Sequence, residues 1–465
     1  MAEVGQPALW TAEEICAATG GRLLGDGFAA SGVDIDSRSL GPGDLFIALK
    51  VDRDGHAFVA DALARGAAGA LVDRGSAKSG VLVGDTSAAL IDLGRAARSR
   101  AGQARRGAVT GSVGKTSVTQ AVLTGLQLAG KAHGSVHPFN NHIGVPLTLA
   151  RMPAATERAI FEIGMNHPGE IAPLSRQVAP HAVAVTTVEA VHVENFEDGV
   201  AGVAKAKAEI FEGLQPGGIA ILNRDNAWFD TLAVAARDRR AEVRAFGAHD
   251  AADARLCGFT AGPEGSEVEA VIRGRRVRYL LQHSAAHWGL MSLCALLMLG
   301  ALEVDLDAAI QALRAFGPLT GRGATHAIPL SNGGEFTLID ESYNASPVSV
   351  TAALANLAGR RDAGRRIVVL TDMLELGADS ADRHAAIAAR MQEAGVAAVF
   401  CAGPLMKHLY DALPQGLRGA WTPVAGDLLP PLTEAIGAGD VVMVKGSKAS
   451  RAWAIAKALL AQGEA

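Results

Sequence analysis

The chain has 465 residues, a formal net charge of -5 and no concentrated run of lysine and arginine. This length predicts more than one domain, because single hydrophobic cores rarely grow beyond about 250–300 residues. The mild acidity argues against a surface for nucleic acid or anionic lipid. The start shows no signal-peptide pattern and the four scattered cysteines form no C-x-x-C pair, so we expect reduced thiols in a cytoplasmic protein.

The first section, residues 1–98, has the pattern of a small α/β domain. Its early part reads VDIDSRSLGPGDLFIAL, which predicts a strand, a Gly-Pro-Gly turn and a second strand. It continues with HAFVADALARGAAGALV, which predicts a helix followed by a short buried strand.

The central section, residues 99–316, alternates short apolar runs with helical stretches. The runs RAIFEIG, HAVAVTTV and GGIAILN predict buried strands of a mostly parallel sheet covered by helices. The uncharged run from Trp288 to Leu302 is shorter than the roughly 18–20 residues that cross a bilayer. It predicts a buried helix and no stable membrane insertion.

The last section, residues 317–465, contains a second set of alternating elements. Strands are predicted in EFTLIDESYNASP, RRIVVLTDM, GVAAVFCAG and DVVMVKGS, with helices such as ADRHAAIAARMQEAG between them. This order predicts a Rossmann-like, doubly wound domain. The sequence therefore predicts an α/β protein of three domains.

A short stretch, TGSVGKTS from Thr110 to Ser117, is similar to a phosphate-binding loop. The Walker A pattern G-x-x-x-x-G-K-[ST] needs a glycine where Val109 stands, and Gly111 comes two residues later. A predicted strand still leads through a glycine turn into a predicted helix, whose first N–H groups favour phosphate oxygens. Lys115 would then reach the β- and γ-phosphates and Thr116 a Mg²⁺ ion. The alternative is an ordinary strand-to-helix turn with a chance lysine.

Three further polar residues follow predicted strands or lie on a predicted helix of the central section. Glu162 comes directly after an apolar run, where a carboxylate could hold a nucleotide-bound metal or simply face solvent. His192 also follows a strand, and Lys207 lies on a helix. Spacing alone selects neither of them as a functional residue.

In combination these segments resemble the Mur ligase family, the ATP-dependent amide-forming enzymes of cell-wall precursor synthesis. That family has the trimmed loop T-G-x-x-G-K-T. The matching motifs, which occur in the family's order over nearly the whole chain, are DSRSLGPGDLFIAL, DGHAF, FNNHIGVPLTL, FEIGMNHPGEI, AKAKAEIF, LIDESYNASP, DMLELG and VKGSKASR.

The resemblance implies roles for residues of the central section. Lys115, Glu162, His192 and Lys207 would be catalytic, and Mg²⁺ would be held by Thr116, Glu162, His192 and a carbamylated Lys207. The ATP phosphates would contact Gly111, Ser112, Val113, Gly114, Lys115, Thr116 and Ser117.

The same resemblance implies contacts in the other sections. Further ATP contacts are expected from Arg322, Glu341, Tyr343 and Asn344, with Asp372 and Glu375 lining the same region. Substrate contacts are expected from Asp36, Ser37, Arg38, Asn140, Asn141, Asn166 and His167.

Four positions depart from the family pattern. Met291 stands where the family has an asparagine that contacts adenine, and methionine cannot make the paired hydrogen bonds of an amide. Glycine is usual at Val51 and Thr371, and asparagine at Ser346. We expect activity to survive, because no phosphate or metal ligand is lost.

The motifs imply the dipeptide-adding branch of the family. This enzyme would join D-alanyl-D-alanine to a UDP-N-acetylmuramoyl tripeptide through an acyl phosphate, the last cytoplasmic peptide-adding step of peptidoglycan precursor synthesis. Its partners would be small-molecule substrates, and we expect a monomer. The alternatives are a sibling ligase that adds one amino acid and a non-catalytic nucleotide-binding paralogue. The third residue of the tripeptide, diaminopimelate or lysine, is left open.

Overall fold

The computed structural model describes residues 8–75, 77–135, 139–191, 193–262, 265–360 and 364–463. The chain divides into two compact units. The first holds the described residues up to Thr186 together with Lys205–Ala245 and Cys294–Ala312. The second holds Thr187–Ala204, Phe246–Leu293 and the described residues from Leu313 onward.

The first unit begins with a five-stranded sheet of order β2-β7-β6-β5-β4, in which β2 is antiparallel to β7 and the other pairs are parallel. Strands β1 and β3 form a separate antiparallel pair. The elements are β1 (Trp10–Thr11), α1 (Ala12–Thr19), β2 (Arg22–Gly25), β3 (Ala29–Ala30), β4 (Gly32–Asp34), β5 (Asp44–Ile47), α2 (Val59–Ala64), β6 (Gly69–Val72), β7 (Ser79–Leu82) and α3 (Thr86–Arg100).

A parallel sheet of order β9-β10-β8-β11-β12 forms the rest of this unit's framework. Its strands are almost wholly apolar because helices cover both faces of such a sheet. The elements are β8 (Arg105–Thr110), α4 (Lys115–Ala129), β9 (Ala132–Gly134), α5 (Gly144–Ala150), β10 (Arg158–Glu162), α6 (Ile171–Val178), β11 (Ala182–Val185), α7 (Val200–Ala208), β12 (Ile219–Asn223) and α8 (Phe229–Asp238).

Four strands that the sequence analysis did not predict come next. Strand β14 pairs in parallel with β13 and antiparallel with β15, which pairs antiparallel with β16. Two helices follow, and the first confirms the predicted buried apolar helix. The elements are β13 (Glu242–Gly247), β14 (Ala254–Gly262), β15 (Gly265–Ile272), β16 (Arg275–Leu281), α9 (His287–Ala301) and α10 (Leu306–Ala315). In the part of the chain that the structure describes, no helix has the length and apolarity needed to span a membrane.

The carboxyl-terminal part of the second unit is a six-stranded sheet of order β17-β18-β22-β19-β20-β21. Only β17 is antiparallel, and separate hydrophobic clusters cover the sheet. The elements are β17 (Ala324–Pro329), β18 (Glu335–Glu341), α11 (Pro347–Gly359), β19 (Arg366–Thr371), α12 (Ser380–Ala385), α13 (Ile387–Glu393), β20 (Ala398–Ala402), α14 (Met406–Ala412), β21 (Arg418–Thr422), α15 (Leu429–Ala435), β22 (Val441–Lys445) and α16 (Ala452–Ala461). The predicted α/β class is confirmed, and the four cysteines are free thiols.

Candidate active site

The phosphate loop lies between the carboxyl end of β8 and the first turn of α4. Gly111 has a φ of +149°, and a Cβ built on it would lie 1.9 Å from Oγ1 of Thr186, so glycine is required there. Gly114, with a φ of +86°, is the N-cap of α4. Lys115 Nζ donates to the carbonyl oxygen of Gly111 at 2.6 Å. A helix N-terminus and a tethered cation therefore face the same loop, as phosphate binding requires.

Thr186, directly after β11, supports this loop from the neighbouring strand. Its hydroxyl donates to the carbonyl oxygen of Val113 at 2.5 Å, and its N–H donates to that of Thr110 at 3.0 Å. Thr186 was not among the site residues predicted from the sequence. The available signal was a hydroxyl residue at the carboxyl end of a buried strand beside β8.

Glu162 is the last residue of β10 and the register partner of Val109 in β8. Its side chain is only 2% exposed, and Oε1 accepts a hydrogen bond from Nδ2 of Asn140 at 2.7 Å. The carbonyl oxygen of Asn140 in turn accepts the N–H of Gly164 at 2.8 Å. Two of the sequence-predicted residues thus lie in contact at the sheet edge where the phosphate loop begins.

Lys207 lies on α7 with 3% of its surface exposed. Burial is the main cause that lowers the pKa of its ammonium well below the usual value, and the charge of Lys115 lowers that pKa further. A lowered pKa favours the uncharged amine, which is a nucleophile, and its addition to CO₂ with loss of a proton gives an anionic carbamate. This environment suits the carbamate that the family resemblance implies.

The oxygen donors at this edge suit Mg²⁺ chemically. Thr116 lies in the first turn of α4 and Glu162 at the end of β10. The predicted ligand His192 lies outside the described residues. Within the described ranges, no group of three or more His, Cys, Asp and Glu side chains is placed to hold a metal ion. A nucleotide-bound Mg²⁺ takes most of its ligands from phosphates and water, so a few protein oxygens are enough.

The remaining predicted substrate residues of this unit differ in how their side chains are used. Asn141 Oδ1 accepts the N–H groups of Ile143 and Gly144, at 3.2 and 2.9 Å, and so supports the start of α5. Asn166 and His167 are exposed in the segment after β10. Asn166 and His167 are therefore accessible at the surface, whereas the side-chain oxygen of Asn141 accepts two backbone N–H groups.

Asp36, Ser37 and Arg38 follow β4 in the amino-terminal part of the unit. Arg38 Nη2 and Asp36 Oδ2 are 2.6 Å apart, and the arginine side chain is 80% exposed. Hydrogen bonds from Arg38 are the main cause that lowers the pKa of Asp36 to about 2. Ser37 is buried. The structure therefore places an exposed Arg38–Asp36 ion pair here, next to the buried residue Ser37.

In the second unit, four predicted residues gather at the carboxyl end of β18. The guanidinium carbon of Arg322 lies 3.9 Å from the centroid of the Tyr343 ring. Glu341 is the last residue of β18, and Asn344 follows in the next turn. Lys445 Nζ donates to Glu341 Oε2 at 3.3 Å, a contact that the sequence analysis missed although it had quoted the motif containing Lys445.

The turn after β19 carries Asp372 and Glu375. Asp372 is 6% exposed, and its Oδ1 accepts the N–H of Met406 at 2.8 Å. Burial is the main cause that raises the pKa of Asp372. Glu375 has a φ of +64°, and the Nε2 atom of His384 accepts the N–H of Met373 at 3.0 Å. Asp372 therefore supports α14 from inside instead of facing solvent.

The departures from the family pattern are compatible with the fold. Met291 is a buried residue of α9, with 8% exposure. Ser346 is the N-cap of α11 and supplies the capping hydrogen bond that asparagine could also supply. Thr371 hydrogen-bonds Ser450 through their hydroxyl groups at 2.6 Å, and Val51 lies at the surface.

Comparison with known proteins identifies the family. Residues 109–298 match the Mur ligase middle domain, and residues 328–448 match the Mur ligase, glutamate ligase domain. The UDP-N-acetylmuramoyl-tripeptide–D-alanyl-D-alanine ligase of Rickettsia prowazekii (strain Madrid E) is 30% identical over 421 residues, covering 90% of this chain and 92% of that protein. The chain belongs to the Mur ligase family.

Two further relatives agree. The ligase of the same name from Escherichia coli (strain K12) is 35% identical over 388 residues, covering 82% of this chain and 83% of that protein. The crystal structure of MurF from Acinetobacter baumannii matches with a TM-score of 0.84 at 25% identity, covering 97% of this chain and 99% of that one. The family resemblance drawn from the motifs is confirmed, and the chain is an ATP-dependent ligase.

Proposed function

We propose that this ligase joins the amine of D-alanyl-D-alanine to the free carboxylate at the peptide end of a UDP-N-acetylmuramoyl tripeptide. The observation that carries the proposal is the loop at the start of α4, where Lys115 Nζ is tethered to the Gly111 carbonyl oxygen, in the same unit as the buried side chains of Glu162 and Lys207. The dipeptide acceptor is chosen because ligases named for that reaction align with most of the chain. The product would be the pentapeptide of peptidoglycan precursor synthesis.

The proposed reaction has two chemical steps. A carboxylate oxygen of the tripeptide attacks the γ-phosphorus of ATP, the bond to the leaving ADP oxygen breaks, and an acyl phosphate forms. The dipeptide amine then attacks the acyl carbon, and the tetrahedral intermediate collapses with loss of phosphate and of the amine proton. Phosphorylation is needed because an unactivated carboxylate has no adequate leaving group.

The phosphate loop supplies charge neutralisation and orientation for the first step. The loop N–H groups and the start of α4 point at the phosphate oxygens, and the Lys115 ammonium balances the negative charge of the γ-phosphate. Phosphoryl transfer depends mainly on such positioning and electrostatics. Val113 and Gly111 keep their geometry through the contacts with Thr186.

Thr116, Glu162, His192 and Lys207 as a carbamate would hold Mg²⁺. When bound, Mg²⁺ supplies Lewis-acid stabilisation of phosphate charge. The Asn140 amide holds the Glu162 carboxylate in one orientation. Carbamylation of Lys207 would replace a buried amine, whose protonated form repels both Lys115 and a metal, with an anion that attracts them.

The remaining parts of the proposal concern the whole chain. Arg322, Glu341, Tyr343 and Asn344 would contact ATP from the carboxyl-terminal domain, and Asp36, Ser37 and Arg38 would receive the uridine nucleotide. We propose that the chain forms three domains, with the bounds 1–98, 99–316 and 317–465. The enzyme would act as a monomer in the cytoplasm, where ATP is available.

The test is phosphate release from ATP and Mg²⁺ with UDP-N-acetylmuramoyl tripeptide, with and without D-alanyl-D-alanine, together with the product mass. We expect release that depends on the dipeptide and a pentapeptide product. In Lys115→Ala this release should fall by at least about a hundredfold, because a preorganised transition-state charge contact is typically worth that much.

The other outcomes each contradict part of the proposal. Release that needs a single amino acid instead of the dipeptide would make the chain a sibling ligase. Binding of ATP without release for any acceptor would make it a non-catalytic paralogue. Wild-type turnover in Lys115→Ala would remove the assigned role of the phosphate loop.

A further inference from the structure

Lys445 is a buried cation in a strand that is otherwise apolar. It ends β22, whose five residues are all buried, and its side chain is 4% exposed. In the sheet register Lys445 stands opposite Glu341 of β18. A lysine in this position loses hydration, so its retention requires compensating contacts.

Two contacts receive the Lys445 ammonium. Nζ donates to Oε2 of Glu341 at 3.3 Å and to the carbonyl oxygen of Asn344 at 3.0 Å. The first partner ends β18 and the second lies in the turn that follows it. Lys445 therefore links the end of β22 to the turn that follows β18.

The Glu341 carboxylate is confined from the other side as well. A Cβ built on Gly323 would lie 3.3 Å from Glu341 Oε1, so the Gly321–Gly323 segment packs directly against this oxygen. That segment also fixes Tyr343, whose N–H donates to the carbonyl oxygen of Gly321 at 3.0 Å. The turn is thus held between the Gly321–Gly323 segment and Lys445.

The segment after Lys445 holds the same turn at a second point. Ser447 Oγ accepts the N–H of Leu374 at 2.9 Å and lies 3.5 Å from the carbonyl oxygen of Ala345. Residues 445–447 therefore contact the turns that follow both β18 and β19. This position lets one short segment coordinate the two turns.

Stability alone is a poor reason to keep such a lysine. Desolvation offsets most of the Coulomb attraction in a buried ion pair, and apolar residues of similar volume are often as good. The contact to the Asn344 carbonyl has a different consequence, because it restricts the backbone of residues 341–344. These residues include Tyr343 and Asn344, two of the proposed ATP contacts.

We infer that Lys445 is a positioning residue that presents the turn 341–346 to the nucleotide. The inference rests on the proposed function for the assignment of this turn to ATP. Lys445 would act through the turn, which it contacts at Glu341 and Asn344. Its loss should therefore weaken the interaction with nucleotide while leaving the binding of the tripeptide unchanged.

The test compares Lys445→Met with Lys448→Met in the full-length protein. Lys448 belongs to the same segment but is exposed, so its replacement removes an equal charge without touching the turn. We expect Lys445→Met to raise the KM for ATP about tenfold or more, equivalent to at least about 1.4 kcal/mol. The KM for the tripeptide and all parameters of Lys448→Met should stay within about twofold of wild type.

Lys445→Gln keeps a donor for the Asn344 carbonyl but removes the charge. It should give an intermediate KM for ATP, and it carries the test if Lys445→Met fails to fold. Equal KM values for ATP in Lys445→Met, Lys448→Met and wild type would overturn the inference, and so would equal values in Lys445→Gln if Lys445→Met does not fold. A lower apparent kcat with unchanged KM values, as a loss of folded protein would give, would also overturn it.

Direct calorimetric binding of ADP with Mg²⁺ separates this inference from the proposed reaction. If wild type forms no pentapeptide but Lys445→Met binds ADP more weakly than Lys448→Met, the reaction is wrong and the positioning role stands. If wild type forms pentapeptide and Lys445→Met binds ADP normally, the positioning role is wrong. A wild type that neither reacts nor binds ADP contradicts both.

Discussion

At the scale of single residues, environment decides the chemistry of Lys207. A lysine on a helix is usually a solvated charge, but this one is buried beside Lys115. Because its pKa is lowered, the unfolded chain binds a proton that the folded chain binds weakly. By linkage, burial of Lys207 lowers the free energy of unfolding at neutral pH. This destabilisation decreases only as the pH rises toward the pKa that the lysine has in the unfolded chain.

We predict that Lys207→Met raises the melting temperature by a few degrees in buffer free of CO₂. Methionine has a similar shape and no charge to desolvate. The measurement is thermal unfolding, with Lys205→Met as the control, since Lys205 is exposed on the same helix. A melting temperature below that of Lys205→Met would contradict the account of Lys207 as an unfavourable buried amine.

The carbamate assignment makes its own prediction. Lys207→Ala should lose at least about a hundredfold in phosphate release, the usual scale for removing a charge that stabilises a transition state. Added short carboxylic acids should restore part of this rate, because a carboxylate can enter the space left by the carbamate. Full activity without added acid, or equal stimulation of the Lys205→Ala control, would remove the carbamate role.

At the scale of elements, the loop between β8 and α4 depends both on its own sequence motif and on a contact with the neighbouring strand β11. Glycine at position 111 follows from the loop pattern, but the reason for it comes from the neighbouring strand. A side chain there would enter the space of the Thr186 hydroxyl, which itself donates to Val113. The loop and the end of β11 therefore form one structural unit.

We predict that Gly111→Ala lowers the affinity for ADP with Mg²⁺ at least about tenfold, because both φ and the Thr186 contact oppose a Cβ. Calorimetry measures the affinity. Gly300→Ala is the matched control, since its Cβ would meet no atom within 4 Å and alanine favours the interior of α9. Unchanged affinity in Gly111→Ala would show that the loop adapts without loss.

Elements were predicted unevenly, for a physical reason. Fully buried strands such as β11 and β22 appear as largely continuous apolar runs, so they could be recognised from the sequence. Strands β14 to β16 were missed because few of their residues are consecutively buried: β15 alternates partly exposed with buried residues along its whole length, and β14 is mostly partly or fully exposed. A strand with one polar face does not appear in the sequence as a continuous apolar run.

At the scale of the whole molecule, pH dependence of stability also involves groups that are not part of the phosphate loop. His283 is 3% exposed and lies between Trp288 and Phe316, with ring centroids 3.8 and 5.3 Å away. Neither ring nitrogen has a hydrogen-bond partner among the described residues. Burial is the main cause that lowers its pKa to about 4, and the nearby His287 lowers it further.

We predict that His283→Phe reduces the acid sensitivity of folding. Between the unfolded pKa of 6.5 and the folded value of about 4, the unfolded chain binds more protons at this site. Stability is therefore lost as pH falls through that window, by about 2 kcal/mol between roughly pH 7.5 and 5. Phenylalanine cannot bind a proton, so this pH-dependent loss of stability disappears. It also removes the ring nitrogens that have no partner among the described residues, so the free energy of unfolding should rise by about 1–3 kcal/mol at neutral pH.

Denaturant unfolding gives the free energy of unfolding of wild type and of His283→Phe at the two pH values. The change between the two pH values is then compared between the two proteins. The pKa of His181 is also lowered to about 4, but that residue is present in both proteins and cancels. A pH dependence in His283→Phe equal to that of wild type would contradict the assignment. Destabilisation at neutral pH would show that the ring nitrogens have partners after all.

The sequence alone determined the α/β class, the apolar helix α9, the phosphate loop and the family, because each depends on local patterns or on motifs along the chain. It also placed Glu162 at the end of a strand. The tertiary structure decided the contacts that give these residues their chemistry. Lys207 becomes an unusual amine only when neighbouring segments exclude water and bring Lys115 near. Thr186 and Lys445 acquire their partners only because parallel strands distant in sequence end at the same edge of a sheet.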